Sequence, residues 1–449
     1  MGSKNIPEML KKARRKFLKT ASDINENVYL LLFSLYILIY FVINIEWGEF
    51  IQPIVSNLRY AILSVVMWGA TVYLIYFIAN LGQLWKKVPL LCLISVPILG
   101  FTAFFSMKMS TNSYGIVMDL FFCIMACGKN YRKMLQIVLR ISIVMLLIAA
   151  IGVPFGLTED LIKPDNIHPG HSLGIIYPNT WGDLVYLALI ILWYLYLRYR
   201  PFITFAVFWI AGAFMFFFIY ARTMSFFSFL FPIVATLIDL LQNRYNFNSN
   251  TNGNDLEPSL LQSDKGGRTG ILGWLVIAIP FISLIFVIFA SMQMEWVHKT
   301  FYYTWFHNFA MRFVQGGFYL KTYGMPLFGN PYRGNVHTFM YVNGEYLELG
   351  NLDSAFVSYI IMRGMVWIIV TLLWLCIANW KALKVKDYAI PFLGTAILLF
   401  AMMERIGLEM WYNFILLYPL ANVVPDTADK KHCVTNAVKY LPPKYKKKG

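Results

Sequence analysis

The 449-residue sequence predicts an all-α, polytopic integral membrane helical bundle, with about 12 transmembrane helices and a large structured outer loop. Three observations predict it. First, 59% of the residues are apolar and only 14% charged, whereas a soluble chain carries roughly 25% charged residues. A mean hydropathy of +0.58 agrees. Second, the apolar runs are continuous rather than alternating. Helices satisfy their own backbone in lipid, and a β-barrel would alternate. Third, Lys and Arg segregate. With the N-terminus in the cytoplasm, 27 of the 38 fall on inner segments and nine on outer ones. This is the bias that orients membrane helices.

Taken in order, the spans are expected at 28–45, 60–81, 88–107, 113–127, 134–153, 182–197, 202–220, 223–241, 270–291, 353–380, 388–404 and 409–424. The 113–127 run is short. Residues 1–27 form a basic cytoplasmic segment, 28–424 the membrane domain and 425–449 a basic cytoplasmic tail. The Lys11–Lys19 stretch leads into an apolar run without a small-x-small cleavage site, so the first span is expected to stay uncleaved. The net charge of +15 is thus a topology signal, not a nucleic-acid footprint. Of the five cysteines, four fall in spans and Cys433 in the tail, so no disulfide framework is implied. Cys123 and Cys127 share a helix face as lipid-facing or core residues.

Three loops are long. The inner one, 242–269, is Asn-rich and expected to be a disordered linker. The outer ones, 154–181 and 292–352, carry the chemistry. Outer arginines run against the charge bias and need a reason. Arg222 stands at a tight outer turn where the next helix begins, with Thr223 or Ser225 as cap. A guanidinium beside a helix N-terminus suits a phosphate; the alternative is an arginine snorkelling to headgroups. Arg312 falls on a stripe with Asn308, Gly316 and Tyr319, where glycine leaves room for a bulky anion; the alternative is a solvated face. Asp353 opens a span, either as its N-cap or as a carboxylate that takes a proton from a hydroxyl. Arg363, about 15 Å deeper, needs an acidic partner, Asp119 or Asp183, and is read as structural. His168, His171 and His337 make a weak metal signal, and hydrogen bonding to sugar or phosphate is favoured. The outer tyrosines and tryptophans read first as an interface belt.

Four elements in order resemble the Wzy-type polysaccharide polymerases of capsule, exopolysaccharide and O-antigen pathways, and more distantly the O-antigen ligases. They are His171-Ser-Leu-Gly with Tyr177-Pro-Asn179, then Ala221-Arg222-Thr223. Arg312 with Pro326-Leu-Phe-Gly329 follows, and Leu352-Asp353-Ser354 with Arg363-Gly364 completes the set. Tyr177, Ser354 and Phe356 depart from the family pattern.

The resemblance implies a C-type glycosyltransferase-like membrane enzyme without cofactor or metal. Its substrates would be undecaprenyl-diphosphate-linked oligosaccharides, as donor and acceptor, at the outer face of a bacterial plasma membrane. Both termini would be cytoplasmic, and a flippase and chain-length regulators would be partners beside the lipid bilayer. It implies Arg222 and Arg312 at the leaving diphosphate and Asp353 as general base. His171, Asn179, Arg333 and His337 would bind substrate, with Arg405 in reserve. Should Asp353 serve only as a cap, His337, Glu345 and Glu348 are the remaining proton acceptors. The alternatives are an O-antigen-type ligase and a lipid-linked oligosaccharide flippase. The ligases carry His where Asp353 stands. Transporters tend to show internal repeats, and none is apparent.

Overall fold

A computed structural model describes residues 6–79, 100, 113–163, 170–198, 200–251, 271–301, 307–330, 338–342, 345–349, 352–385 and 387–423. The protein is mostly helical. Its helices are α1 (Ile6–Asn44), α2 (Gln52–Ala79), α3 (Ser113–Met125), α4 (Tyr131–Gly152), α5 (Pro178–Leu192), α6 (Pro201–Phe214) and α7 (Arg222–Thr251). They continue as α8 (Ile271–Met292), α9 (Met294–Phe301), α10 (His307–Tyr323), α11 (Ala355–Arg363), α12 (Met365–Lys384) and α13 (Ala389–Met403). Among the described residues, seven helices are long and apolar enough to cross a membrane, and Arg222–Leu237 and Ala389–Met403 are shorter apolar helices. Large apolar side chains stay exposed along α2, α6 and α8, including Trp68, Phe202 and Ile285. Water would penalise that surface, and lipid does not.

Local chemistry sets the helix ends. Pro178 and Pro201 open α5 and α6, where a missing N–H costs nothing. Asn130 caps α4 by accepting the Lys133 N–H. α5 and α6 each finish in a π-helical turn, 193–197 and 215–219. After the second, Tyr220 takes a left-handed conformation (φ 64°) and the chain reverses directly into α7.

Three expectations are corrected. The Asn-rich stretch from 243 to 251 is helical, because extending an existing helix is far easier than starting one; residues 252–270 lie outside the described residues. The 353–380 span is two helices, broken at Gly364 (φ 92°, ψ 163°). The 409–424 span is not a helix. Residues 405–408 and 414–417 are single 3-10 turns joined by bends, almost wholly buried. An apolar run with Gly407, Asn413 and Pro419 can stay irregular in a membrane protein where other protein covers it. The expected 88–107 span lies outside the described residues, apart from Gly100.

The helices separate two ends of the bundle. At one, Lys129 donates to Asn25 (2.6 Å), Lys133 pairs with Glu26 (2.7 Å) and Arg198 pairs with Asp387 (3.2 Å). Asn130 bridges to Asn422 there as well. Lys381, in the last turn of α12, donates to the carbonyls of Tyr418, Pro419 and Ala421 (3.0, 3.1 and 2.5 Å). A cation serving three carbonyls of a non-helical buried segment replaces the bonds a helix would have supplied. Lys381→Met should therefore destabilise the fold by about 2–3 kcal/mol. Chemical-denaturation midpoints of the detergent-solubilised protein check this.

At the other end, the residue after α1 bridges to the 154–176 loop (Ile45 to Ile175, Trp47 to Thr158). The short strands β1 (Ile162–Lys163) and β2 (Gly170–His171) pair antiparallel there, with Ile162 opposite His171. A second hairpin pairs β3 (Thr338–Val342) with β4 (Glu345–Leu349). The 154–176 loop, which the charge count puts outside, is at this end, and Lys129, Lys133 and Arg198, which it puts inside, are at the other.

Candidate functional site

Helix α10 is confirmed, and its stripe faces the protein rather than solvent. Tyr319 is buried, and a side chain on Gly316 would meet Ser291 and Val357 at 2.8 and 3.1 Å. The room beside Arg312 is therefore filled by packing, which corrects the expected anion pocket at Gly316. Arg312 instead points at carboxylates. Its Nη1 forms a direct ion pair with Asp353, and its Nη2 lies 3.9 Å from Glu404, the residue that ends α13. Asp183, buried in the second turn of α5, has Glu404 and Arg312 as its electrostatic neighbours. The buried Arg312 Nε carries no hydrogen bond, so one donor of the fork stays open.

Asp353 is not the cap of α11. Ser354 occupies that position, and it makes no side-chain cap bond. Asp353 precedes it, free to reach across to α10. Asp353 and Glu404 thus flank one guanidinium, with Asp183 as a further electrostatic neighbour, and the ion pair with Asp353 fixes Arg312 in place.

The break at Gly364 positions this group. A helix interruption frees backbone groups, and the 326–330 segment takes them up. Met365 and Val366 donate to the carbonyls of Pro326 and Leu327 (2.8 and 3.2 Å), and Asn330 N–H donates to Ile361 (2.7 Å). Gly364 and Gly329 both have positive φ, and a Cβ on either would strike the opposing backbone. The Pro-Leu-Phe-Gly and Arg-Gly pieces singled out in the sequence are therefore two halves of one junction. Below it, Arg363 pairs with Glu409 (3.6 Å) and stacks on Tyr359 (4.0 Å). Glu409 is the partner that sequence reasoning missed. Asp119 lies nearby, bonded to Tyr36 (2.5 Å), and Asp183 belongs to the Arg312 group instead. A cavity of about 30 Å³ lies between Asp119 and Arg363.

Arg222 sits at the start of α7, exposed, with its guanidinium 4.1 Å above the Tyr220 ring. Neither expected cap operates, because Thr223 and Ser225 are inside the helix and Ser225 donates back to Ala221 O (2.9 Å). Gly182 of α5 lets the turn approach; a Cβ there would be 2.6 Å from that of Ala221. The start of α5 thus stands between the Arg222 turn, at Gly182, and the Arg312 cluster, at Asp183. Asn179 is exposed in the first turn of α5.

His171 is bonded through Nδ1 to Asp160 Oδ2 (2.7 Å). Asp160 also accepts the Leu173 N–H (2.9 Å). Partial burial opposes ionisation of Asp160, but the bonds from His171 and Leu173 outweigh it and hold its carboxyl below the usual range. Asp160 therefore stabilises the loop at neutral pH, and the contribution disappears as acid protonates the carboxylate. Asp160 was not anticipated. Its only sequence signal is its place in an outer loop that also holds histidines.

Arg333 and His337 lie outside the described residues, and Glu345 and Glu348 are in β4. Arg405 donates to Met362 Sδ (3.3 Å), against the back of α11. No family model, curated protein or solved structure matches this chain.

Proposed function

We propose that this protein is an integral membrane glycosyltransferase that polymerises undecaprenyl-diphosphate-linked oligosaccharide repeat units at the outer face of a bacterial plasma membrane. The observation that carries the reading is the Arg312 cluster, with Arg222 beyond the intervening turn of α5, at the end of the bundle assigned to the outside. An acceptor hydroxyl oxygen bonds to the anomeric carbon, the carbon–oxygen bond to the diphosphate breaks, and the electron pair leaves with the diphosphate. That departing charge calls for pre-placed cations. Arg312 offers a positive charge fixed by its ion pair, and Arg222 offers an exposed guanidinium beside a helix N-terminus. The acceptor hydroxyl also loses a proton, for which Asp353 is the base implied by the family resemblance.

The ion pair gives Asp353 a second duty, as counter-ion of Arg312. Asp353→Asn separates the two. If Asp353 is the base, turnover vanishes at every pH. If it is the counter-ion, turnover falls but keeps its dependence on acid.

Donor binding tests the site itself. Native mass spectrometry of the detergent-solubilised chain with undecaprenyl diphosphate should detect a complex that weakens at least tenfold in Arg312→Ala. Equal binding by the variant would remove Arg312 from the diphosphate site.

The proposed topology has about 12 crossings and both termini in the cytoplasm, with 154–181 and 292–352 outside. The seven long helices, the two shorter apolar ones, α3, the irregular 405–422 segment and the expected 88–107 span would supply the crossings. In a cysteine-free background, Glu159→Cys should react with an impermeant maleimide in intact cells, and Val385→Cys only after permeabilisation. Both positions are exposed, so the reverse pattern would invert the whole assignment.

A further inference from the structure

We propose that His171, held by Asp160, is the proton acceptor for the incoming sugar hydroxyl, with Asp160 as its positioning residue. The inference rests on the glycosyl-transfer reading and assigns the proton to a group outside the Arg312 cluster.

The geometry at β2 carries it. Asp160 accepts at Oδ2, so Nδ1 of His171 bears the hydrogen, and in the neutral ring Nε2 keeps its lone pair. Nε2 has no partner among the described residues. The His171 side chain is 36% exposed, against 19% for Asp160, so the ring is the more accessible member of the pair. The Asp160 carboxylate is fixed on several sides. Besides His171 it takes the Leu173 N–H and the Ser172 hydroxyl (3.4 Å), and Ser172 Oγ in turn accepts the Leu161 N–H (2.8 Å). A carboxylate so fixed holds the imidazole in one tautomer and one orientation, and it stabilises the imidazolium that forms.

The dyad also faces the phosphate-suited wall. A Cβ on Gly170, the neighbour of His171, would lie 2.9 Å from Ile219 O and 3.2 Å from the Tyr220 side chain. The His171 ring is 6.3 Å from that of Phe218. The strand thus packs against the very turn that presents Arg222. The groups next to His171 are Asp160 from its own loop, Ile162 across the strand pair and Phe218 from the turn, while Tyr220, which meets Gly170, carries Arg222 above its ring. Asp353, by contrast, already has its oxygen committed to Arg312.

In the proposed step, the hydroxyl proton passes to Nε2 as the new carbon–oxygen bond forms. The electron pair of the broken bond leaves on the diphosphate, and the imidazolium then releases its proton to water on the exposed side. Nothing is oxidised or reduced.

The test uses the purified full-length protein and a lipid-linked repeat unit isolated from the membranes of its source. His171→Ala should lose about 100-fold or more of the transfer rate, with undecaprenyl diphosphate binding unchanged, and added imidazole should restore part of it. In the wild type the rate should fall as acid protonates His171. His171→Gln should lose that acid limb, and Asp353→Asn should keep it. A His171→Ala variant that transfers normally would overturn the proposal. So would a loss that imidazole does not relieve, accompanied in His171→Gln by an unchanged acid limb. A wild-type protein that forms no glycosidic bond at any pH would instead overturn the underlying glycosyltransferase reading.

Discussion

Replacing Arg312 with alanine is expected to lower the rate of glycan transfer by about 10²–10³-fold, the scale for losing one pre-placed donor at a developing anion. Stability should suffer as well. The substitution leaves Asp353 without its ion-pair partner and takes the cation from beside the buried Glu404 and Asp183. Stranding buried charge in this way costs about 3 kcal/mol or more. The two losses are separable. Adding Asp353→Asn to Arg312→Ala removes one stranded charge, so the double variant should recover part of the stability and none of the transfer. Arg312→Lys should retain the ion pair with Asp353 but recover little rate, because a point charge cannot reproduce the guanidinium fork. Denaturation midpoints and single-turnover rates of the four proteins check these outcomes together. Transfer by Arg312→Ala at the wild-type rate would dismiss the arginine from the chemistry.

Gly364→Ala should be the most damaging single methyl group in the site's scaffold. Gly364 has a positive φ with extended ψ, a region that only glycine enters readily, and an added Cβ would run into the Leu327 carbonyl. Strain together with loosening of the Met365 and Val366 bonds to the 326–330 segment should cost about 2–4 kcal/mol. The effect should be local first. Hydrogen exchange at Met365 and Val366 should accelerate before the rest of α12, and the Arg312–Asp353 pair at the far end of α11 should lose its alignment. An alanine variant with unaltered exchange and unaltered transfer would mean that the helix break does not support the site.

The sequence conveyed the helical class, because hydropathy is an average over many residues. It also marked Arg222, Arg312 and Asp353, since charges at helix boundaries stand out against apolar runs. Other features were hidden for physical reasons. The break at Gly364 sits inside an unbroken apolar run, and only the backbone conformation of two glycines reveals it. The 405–422 segment is as apolar as a helix, and the carbonyls near its end are served by a lysine from another element. Glu404 and Glu409 looked like span boundaries, yet each meets an arginine more than 40 positions earlier in the chain. Asp160 gains its meaning from His171, 11 residues on, through a two-residue strand pair too short to show as a pattern. Arg312 and Asp353 were each seen, but their pairing was not. It depends on α10 lying against α11, and no periodicity reports how two helices pack.

The most direct measurement is reconstitution. The purified wild-type chain is placed in liposomes with undecaprenyl-diphosphate-linked repeat units on the outer leaflet, and the lipid-linked products are resolved by size. A ladder of products spaced by one repeat unit is expected, formed by wild-type protein and lost in Arg312→Ala. Transfer only to a foreign acceptor would make the protein a ligase. Movement of intact repeat units across the bilayer with no new glycosidic bond would contradict the account outright.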